Sequence, residues 1–250
     1  MPVWKPYEEL RPDQLEALLA EFPVAFWPLG LLEHHGWHLP IGFDGIKAQR
    51  TCQRIAAQTG GVILPTMWWG GGGGHDVFKW SHYQSPEAIT SILNTTSRQT
   101  LDFGARVLVL MAGHYPWQSF LNAAVPDLQN DYPEALILAG TEVSICGEAL
   151  SLKGDHAAKE ETSFGLALFP EFVELEALQP GHHADVWPPA GPPTEDKRHP
   201  HVQFDPAHPL FAQMGEDARQ ATSAHGEAGI AQVIDHLSNT IRHFLETERT

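Results

Sequence analysis

Four short apolar runs, each preceded or followed by a segment with helical spacing, constrain the fold of this chain most strongly. They cover residues 24–30, 61–65, 106–113 and 134–140 and are apolar almost throughout, as in RVLVLMAG. Continuous apolar runs are expected of strands that are buried on both faces of a parallel sheet. The pattern predicts an α/β fold with three α/β/α layers around a mostly parallel central sheet.

The segments between these runs carry the usual signals for helices. We predict helices over residues 13–22, 44–60, 85–104, 117–129, 156–169 and 226–248. The third has the clearest boundaries, because Ser85 suits an N-cap, Pro86 suits the first turn and Gly104 suits the end. Pro126 is expected to end or kink the helix that contains it.

The chain has no internal repeat and no clear linker, so residues 1–250 are expected to form a single domain. Residues at about 180–210 are rich in Pro, His and Asp and are predicted to be irregular. A connection of this length is rarely passive, which makes the segment a candidate lid or subunit contact.

The composition narrows the classes of partner. The formal net charge is -16 and the pI is ≈ 5.2, which argues against nucleic acid because phosphate binding needs a basic face. Two cysteines are too few for a disulfide scaffold or a thiolate zinc site. No secretory signal and no apolar run of about 18 residues is visible, so we expect a cytoplasmic protein without a membrane span.

Side chains that bind metals follow the first apolar run directly. The stretch GLLEHHGWHLPIGFD, residues 30–44, contains Glu33, His34, His35, His38 and Asp44. Residues two apart in extended backbone point the same way, so Glu33 and His35 can reach one point. Asp44 lies at a predicted helix start, and its carboxylate has two oxygens that can bridge two metals.

Two further motifs fall near other predicted strand ends. MAGHYPW places His114 where a strand gives way to a helix, and GDHAAKEETS contains His156 and Glu161. Each has an ordinary alternative: His114 as a polar loop residue, Asp155 as a helix cap, and Glu160 and Glu161 facing water. Function gathers at the carboxyl ends of parallel strands, and the combined N and O donors suit Zn, Mn or Fe.

These motifs resemble the signatures of the creatininase family of creatinine amidohydrolases. EHHGWHLPIGFD is similar to E-x-H-G-x-H-L-P-x-x-x-D, AGHYPW to N-G-H-[GY], and DHAAKEETS to D-x-H-A-G-x-x-E-T-S. Residues 215–229 resemble the late G-D-P-x-x-A-[ST]-x-x-x-G segment, and HDVFKW resembles H-x-x-F-P-G. The resemblance implies an α/β/α fold, a two-metal site, hydrolysis of cyclic amides or related C–N bonds, and a homohexamer.

Carried over position by position, the resemblance implies the metal ligands Glu33, His35, Asp44, His114 and Glu161, with Asp44 bridging the two ions. His38 is expected to support a ligand rather than to bind a metal. A metal-bound hydroxide would attack the substrate carbonyl, and His156 or Glu161 would protonate the leaving nitrogen.

The chain departs from the family pattern around the predicted pocket. Ala112 replaces an asparagine, Ala158 replaces a glycine, and Lys79-Trp80 replaces Pro-Gly. Pro116 replaces a glutamate that creatininases carry two residues after the histidine, which removes an expected ligand unless Glu161 takes its place. These changes bear on creatinine as the substrate more than on metal binding.

The glycine run in WWGGGGGHD, residues 68–76, lacks the Lys-Ser/Thr that follows in phosphate-binding loops. We therefore predict a mobile loop that lets backbone approach the substrate. A pocket for a flat, polar ring is predicted to be lined by His75, Phe78, Trp80, Tyr115 and Trp187. The alternative is that these side chains form core or subunit contacts.

The sequence thus predicts a metal-dependent amidohydrolase that holds two divalent ions per chain and cleaves a small, creatinine-like cyclic amide. One alternative is hydrolysis of a formamide or another amide in a biosynthetic intermediate. Another is a metal-binding protein that has lost catalysis, which Ala112 and Pro116 favour.

Overall fold

The computed structural model describes residues 1–182 and 185–247. Its strands are β1 (Trp4–Pro6), β2 (Val24–Leu29), β3 (Gly61–Ile63), β4 (Val107–Ala112) and β5 (Leu136–Thr141). Its α-helices are α1 (Pro12–Glu21), α2 (Phe43–Thr59), α3 (Pro86–Asp102), α4 (Trp117–Asp131), α5 (Lys159–Leu168) and α6 (Ser223–Thr247). The last predicted helix extends to residue 248, which lies outside the described residues.

The strands form one sheet in the order β1-β3-β2-β4-β5, and every pairing is parallel. Successive residues of the central strands enter opposite cores. Trp27 and Leu29 pack with α1, α3 and α4 on one face, whereas Val24 and Phe26 pack with α2, α5 and α6 on the other. Helices on both faces explain the continuous apolar runs, and the predicted three-layer α/β class is confirmed.

Several predicted boundaries need correction. Strand β1 was not predicted, because three residues with an interior Lys and a terminal Pro carry little strand signal. The helix predicted from His156 begins at Lys159, since the backbone of His156 instead exchanges two hydrogen bonds with Met214. Pro126 does not end its helix, and α4 continues to Asp131.

The described part of the irregular segment packs against the body of the protein, and Trp187 stacks on Phe78. The described part of residues 180–210 contains one short 3-10 helix at Glu195–Lys197. Val186 is buried in a cluster with Phe78, Phe211 and Ala212. Within the described ranges, none of the helices has both the length and the apolar character needed to cross a bilayer.

Candidate metal centre

The carboxyl ends of the central strands bring the metal-binding motifs together. Glu33 and His35 follow β2, His114 follows β4, and Asp44 lies in the first turn of α2. Gly113 allows the backbone after β4 to pack closely against Asp44, because a Cβ at this position would lie 1.9 Å from the carbonyl oxygen of Asp44. The glycine before His114 therefore allows the end of β4 to contact the start of α2.

Glu33, Asp44 and His114 form the first group of candidate ligands. Nδ1 of His114 lies 3.2 Å from Oε2 of Glu33 and 3.4 Å from Oδ2 of Asp44. All three side chains are buried. Their ligand atoms lie close enough together to hold one metal ion.

His35, Asp44 and Glu161 form the second group. Nε2 of His35 lies 3.2 Å from Oδ1 of Asp44 and 3.6 Å from Oε2 of Glu161. Asp44 thus directs one carboxylate oxygen toward each group, which is the arrangement that a bridging ligand needs.

Glu161 is 1% exposed, so the alternative in which it faces water is wrong. The alternative for Asp155 is correct in part, because its carboxylate accepts hydrogen bonds from the backbone N–H groups of Glu160 and Glu161 and caps α5.

Backbone carbonyl groups fix the orientation of the imidazoles. Nδ1–H of His35 donates to the carbonyl of Glu33 at 3.1 Å, and Nε2–H of His114 donates to that of Gly72 at 3.0 Å. Nε2–H of His156 donates to the carbonyl of His34 at 3.0 Å. The other nitrogen of each ring therefore faces the carboxylates and can bind a metal when it carries no proton.

The donor atoms of the centre fit a divalent metal. Oε2 of Glu33, Nε2 of His35 and Oδ2 of Asp44 are buried and have no hydrogen-bond partner among the described residues. Burying such atoms without a partner costs free energy, which a bound cation would offset. Carboxylate and imidazole donors suit Zn and Mn. A third, overlapping group consists of Glu33, His35 and His156.

Charges in the centre shift the pKa values of both candidate imidazole ligands. Burial alone would lower the pKa of His35, but Asp44, Glu161 and Glu33 raise it to about 9. Burial would also lower the pKa of His114, but the carboxylates of Glu33 and Asp44 raise it well above 6.5. Burial would raise the pKa of Asp44, yet His35 and His114 hold it well below 3.8. A metal ion would therefore replace protons on these rings.

Three residues that contact a candidate ligand or lie one contact behind it were not predicted. Lys47, three residues after Asp44 on α2, donates to Glu161 and to Glu142, and the hydroxyl of Tyr83 donates to Glu33. Burial raises the pKa of Glu161 to about 7 even though Lys47 lowers it. Lys47 could have been found from the sequence, because it falls on the face of the predicted helix that is otherwise mostly apolar. No comparable sequence pattern marks Glu142 or Tyr83.

A cavity of about 440 Å³ opens onto both ligand groups. Besides the candidate ligands, its wall includes Gly73, His75, Tyr115, Pro116, His199 and Met214. The ring of His75 stacks on that of His156 with centroids 3.7 Å apart. Burial and the neighbouring His156 lower the pKa of His75 to about 2, which keeps the ring neutral. His199 comes from the irregular segment and was not predicted.

The other predicted pocket residues lie away from this wall. Phe78 is buried and stacks on Trp187 at 5.6 Å, so both belong to the aromatic cluster beneath the irregular segment. Trp80 is 59% exposed. Nε2 of His38 forms a 2.7 Å hydrogen bond with the hydroxyl of Thr162, the residue after Glu161. His38 therefore contacts α5 next to a candidate ligand.

Comparisons with known proteins identify the family of this chain. The creatinine amidohydrolase (creatininase) family model matches residues 8–241. The creatinine amidohydrolase of Pseudomonas putida is 25% identical and aligns with 96% of this chain and 94% of its own length. A mycofactocin precursor peptide peptidase of Mycobacterium ulcerans is 30% identical over 71% of each chain.

Solved structures give the same result. A crystal structure of creatinine amidohydrolase has a TM-score of 0.71 and 26% identity, and the match covers 97% of this chain and 98% of that one. Two similar creatininase structures are described as a manganese form and a zinc–zinc form of a variant. The chain belongs to the creatininase (creatinine amidohydrolase) family of hydrolases that act on carbon–nitrogen bonds.

Proposed function

We propose that this family member is a metal-dependent amidohydrolase with two divalent ions per chain, Zn, Mn or Fe. Glu33, Asp44 and His114 would hold one ion, and His35, Asp44 and Glu161 would hold the other. The observation that carries the proposal is that the two carboxylate oxygens of Asp44 face different ligand groups. Oδ1 lies 3.2 Å from Nε2 of His35, and Oδ2 lies 3.4 Å from Nδ1 of His114. When bound, such ions polarise a carbonyl group and lower the pKa of a coordinated water.

His156 is the residue that we assign to proton transfer. Its Nε2–H is engaged by the carbonyl of His34, and its Nδ1 lies 3.9 Å from Oε2 of Glu33. Burial lowers the pKa of His156 well below 6.5, with His35 contributing, so the neutral ring has a free acceptor nitrogen. Nδ1 would accept a proton from the attacking water and return it to the leaving nitrogen. Glu161, the other candidate, has both oxygens engaged, by Lys47 and by the N–H of Ala157.

The substrate that we propose is a small cyclic amide of the creatinine type. The cavity size and the rings of His75 and Tyr115 in its wall support a flat, polar molecule. Pro116 lies in the same wall and supplies no carboxylate, which favours the alternative of a different amide or a formamide. The relatives are named for creatinine and for a precursor peptide, so membership of the family does not by itself define the substrate.

We extend the proposal to the organisation of the protein. Residues 1–250 would act as one domain in the cytoplasm, and the described part of residues 180–210 would cover the cavity, with His199 as the contact. The chain would assemble as a homo-oligomer, a hexamer by family resemblance. Size-exclusion chromatography with light scattering measures the assembly directly.

One experiment separates the enzyme from a metal-binding protein that has lost catalysis. The metal-free chain is reloaded with Zn or Mn, its metal content is measured, and creatinine, other cyclic amides, formamides and lactones are offered as substrates. The proposal is supported if the wild-type chain hydrolyses an amide only when metal is bound and the Glu33→Gln variant does not hydrolyse it. Two bound ions without turnover of any substrate favour the non-catalytic alternative, and a chain that binds no ion contradicts both.

A further inference from the structure

Lys47 is a buried lysine whose ammonium group lies beside the second group of candidate ligands. The residue is 1% exposed. Its Nζ donates to Oε1 of Glu142 at 2.8 Å and to Oε1 of Glu161 at 3.0 Å. A buried ammonium costs free energy unless it is paired and hydrogen bonded, and Lys47 meets both conditions. It lies one helical turn after Asp44, so α2 carries both the shared ligand and this cation.

Glu142 is the second carboxylate that accepts a hydrogen bond from Lys47. It directly follows β5 and is 3% exposed. Its Oε1 accepts hydrogen bonds from Lys47 and from the hydroxyl of Tyr115, the latter at 2.7 Å. Nζ of Lys47 also lies 4.7 Å from the centre of the Tyr115 ring. A continuous set of contacts therefore runs from the cavity wall at Tyr115 through Glu142 and Lys47 to Glu161.

The two oxygens of Glu161 have different environments. Oε1 accepts the hydrogen bond from Lys47. Oε2 accepts the N–H of Ala157 at 2.9 Å and lies 3.6 Å from Nε2 of His35. Only Oε2 therefore faces the position between His35 and Asp44. With Oε1 held by Lys47, the carboxylate cannot rotate to exchange its oxygens without breaking a buried ion pair.

We propose that Lys47 is a positioning residue that holds Glu161 as a one-oxygen ligand for the ion next to His35 and Asp44, with Glu142 and Tyr115 holding Lys47. The inference rests on the proposed function. Residues behind metal ligands typically contribute about 10–100-fold to metal affinity. Lys47 donates no hydrogen bond to Glu33, Asp44 or His114 in the part of the chain that the structure describes. The loss should therefore fall on one of the two ions.

Positioning and charge predict opposite results, which makes the proposal testable. Removal of an ammonium beside a divalent cation relieves repulsion, so charge alone predicts tighter metal binding in Lys47→Met. Loss of positioning predicts weaker binding. The double variant Lys47→Met/Glu142→Gln removes one positive and one negative charge, so the net charge of the centre does not change. It also leaves no unpaired carboxylate at position 142, which makes it the safer variant for folding.

The experiment measures stepwise metal affinity rather than turnover. The metal-free wild type and both variants are titrated with Zn²⁺ against a chromogenic chelator, and Co²⁺ absorption spectra report the coordination. Lys153→Met is the matched control, because Lys153 is exposed. We expect one dissociation constant to rise about 10–100-fold in both variants, with the other constant and the control unchanged. A changed Co²⁺ spectrum for the same ion should accompany the loss.

Two results overturn the role of Lys47: a folded double variant with both constants unchanged, or one that binds metal more tightly. A wild-type chain that binds no ion instead overturns the proposed function. If circular dichroism shows that neither Lys47 variant folds, Tyr115→Phe decides the question, since it removes only the hydroxyl that contacts Glu142. That variant should weaken the same constant to a smaller extent, and an unchanged constant contradicts the proposal.

Discussion

Nδ1 of His114 lies 3.2 Å from Oε2 of Glu33, and the two residues follow neighbouring parallel strands, β4 and β2. The contact exists because both strands end at the same edge of the sheet. Neither residue needs the other for its local backbone structure. The function of the pair therefore depends on the tertiary fold, and it can be tested by removing either side chain.

We predict that His114→Ala loses metal and turnover together. The substitution removes one of the three candidate ligands of the first group and leaves the buried carboxylates of Glu33 and Asp44 without the imidazole of His114. Loss of a residue that orients a metal ligand typically lowers metal affinity by up to about 100-fold. Loss of the ligand itself should lower the affinity for one ion by more than that. Metal analysis after dialysis and a hydrolysis assay measure the two effects. His243→Ala, on an exposed position of α6, is the control and should keep both properties.

For His156→Asn we expect the two properties to separate. The variant should retain both ions but lose about 10²–10⁴-fold in kcat, the usual contribution of a general acid or base. The same metal analysis and assay measure the difference. Loss of an ion would instead assign His156 to the overlapping ligand group with Glu33 and His35, and full activity would exclude both roles.

The metal-free protein should lose stability as the pH rises from 6.5 to about 9. The carboxylates around His35 raise its pKa to about 9 in the folded chain. A raised pKa contributes stability that is fully present below the unfolded value of about 6.5 and is lost as the pH rises through the folded value. The melting temperature of the metal-free chain across this range checks the direction. A flat profile in that range would contradict the shift.

Metal binding should show the complementary dependence on pH. Zn²⁺ competes with protons for His35 and His114, whose pKa values are both raised. Affinity should increase as the pH rises toward about 9, and binding at pH 7 should release protons into the buffer. Calorimetry in two buffers with different ionisation enthalpies measures the number released. An affinity that does not change with pH would show that these rings are not ligands.

Gly113→Ala should destabilise the folded chain by an amount on the order of 1–3 kcal/mol or more. Its Cβ would lie 1.9 Å from the carbonyl oxygen of Asp44, so the end of β4 and the start of α2 would have to move apart. Chemical denaturation measures the free energy of unfolding. Gly74→Ala is the control, because a Cβ there meets nothing within 4 Å. Equal stability of both variants would show that the two elements separate easily.

Much of the fold follows from local pattern in the sequence. The strands at Val24–Leu29 and Val107–Ala112 are apolar and buried at every residue, as expected of strands covered by a helical layer on each face. Errors occurred where a distant contact outweighs local preference. His156 pairs with Met214 instead of starting a helix. A distant contact likewise joins Phe78 to Trp187, whose rings stack on each other.

The sequence by itself determined that donor side chains follow the strands of a parallel sheet, because apolar runs and polar strand ends are local features. The family signatures added which of those side chains were candidate ligands. Only the tertiary structure decided which imidazole nitrogen faces the carboxylates, and that Lys47 lies between Glu142 and Glu161. The physical reason is that carbonyl groups and counter-charges from distant segments set these orientations, and no short window of sequence contains both partners.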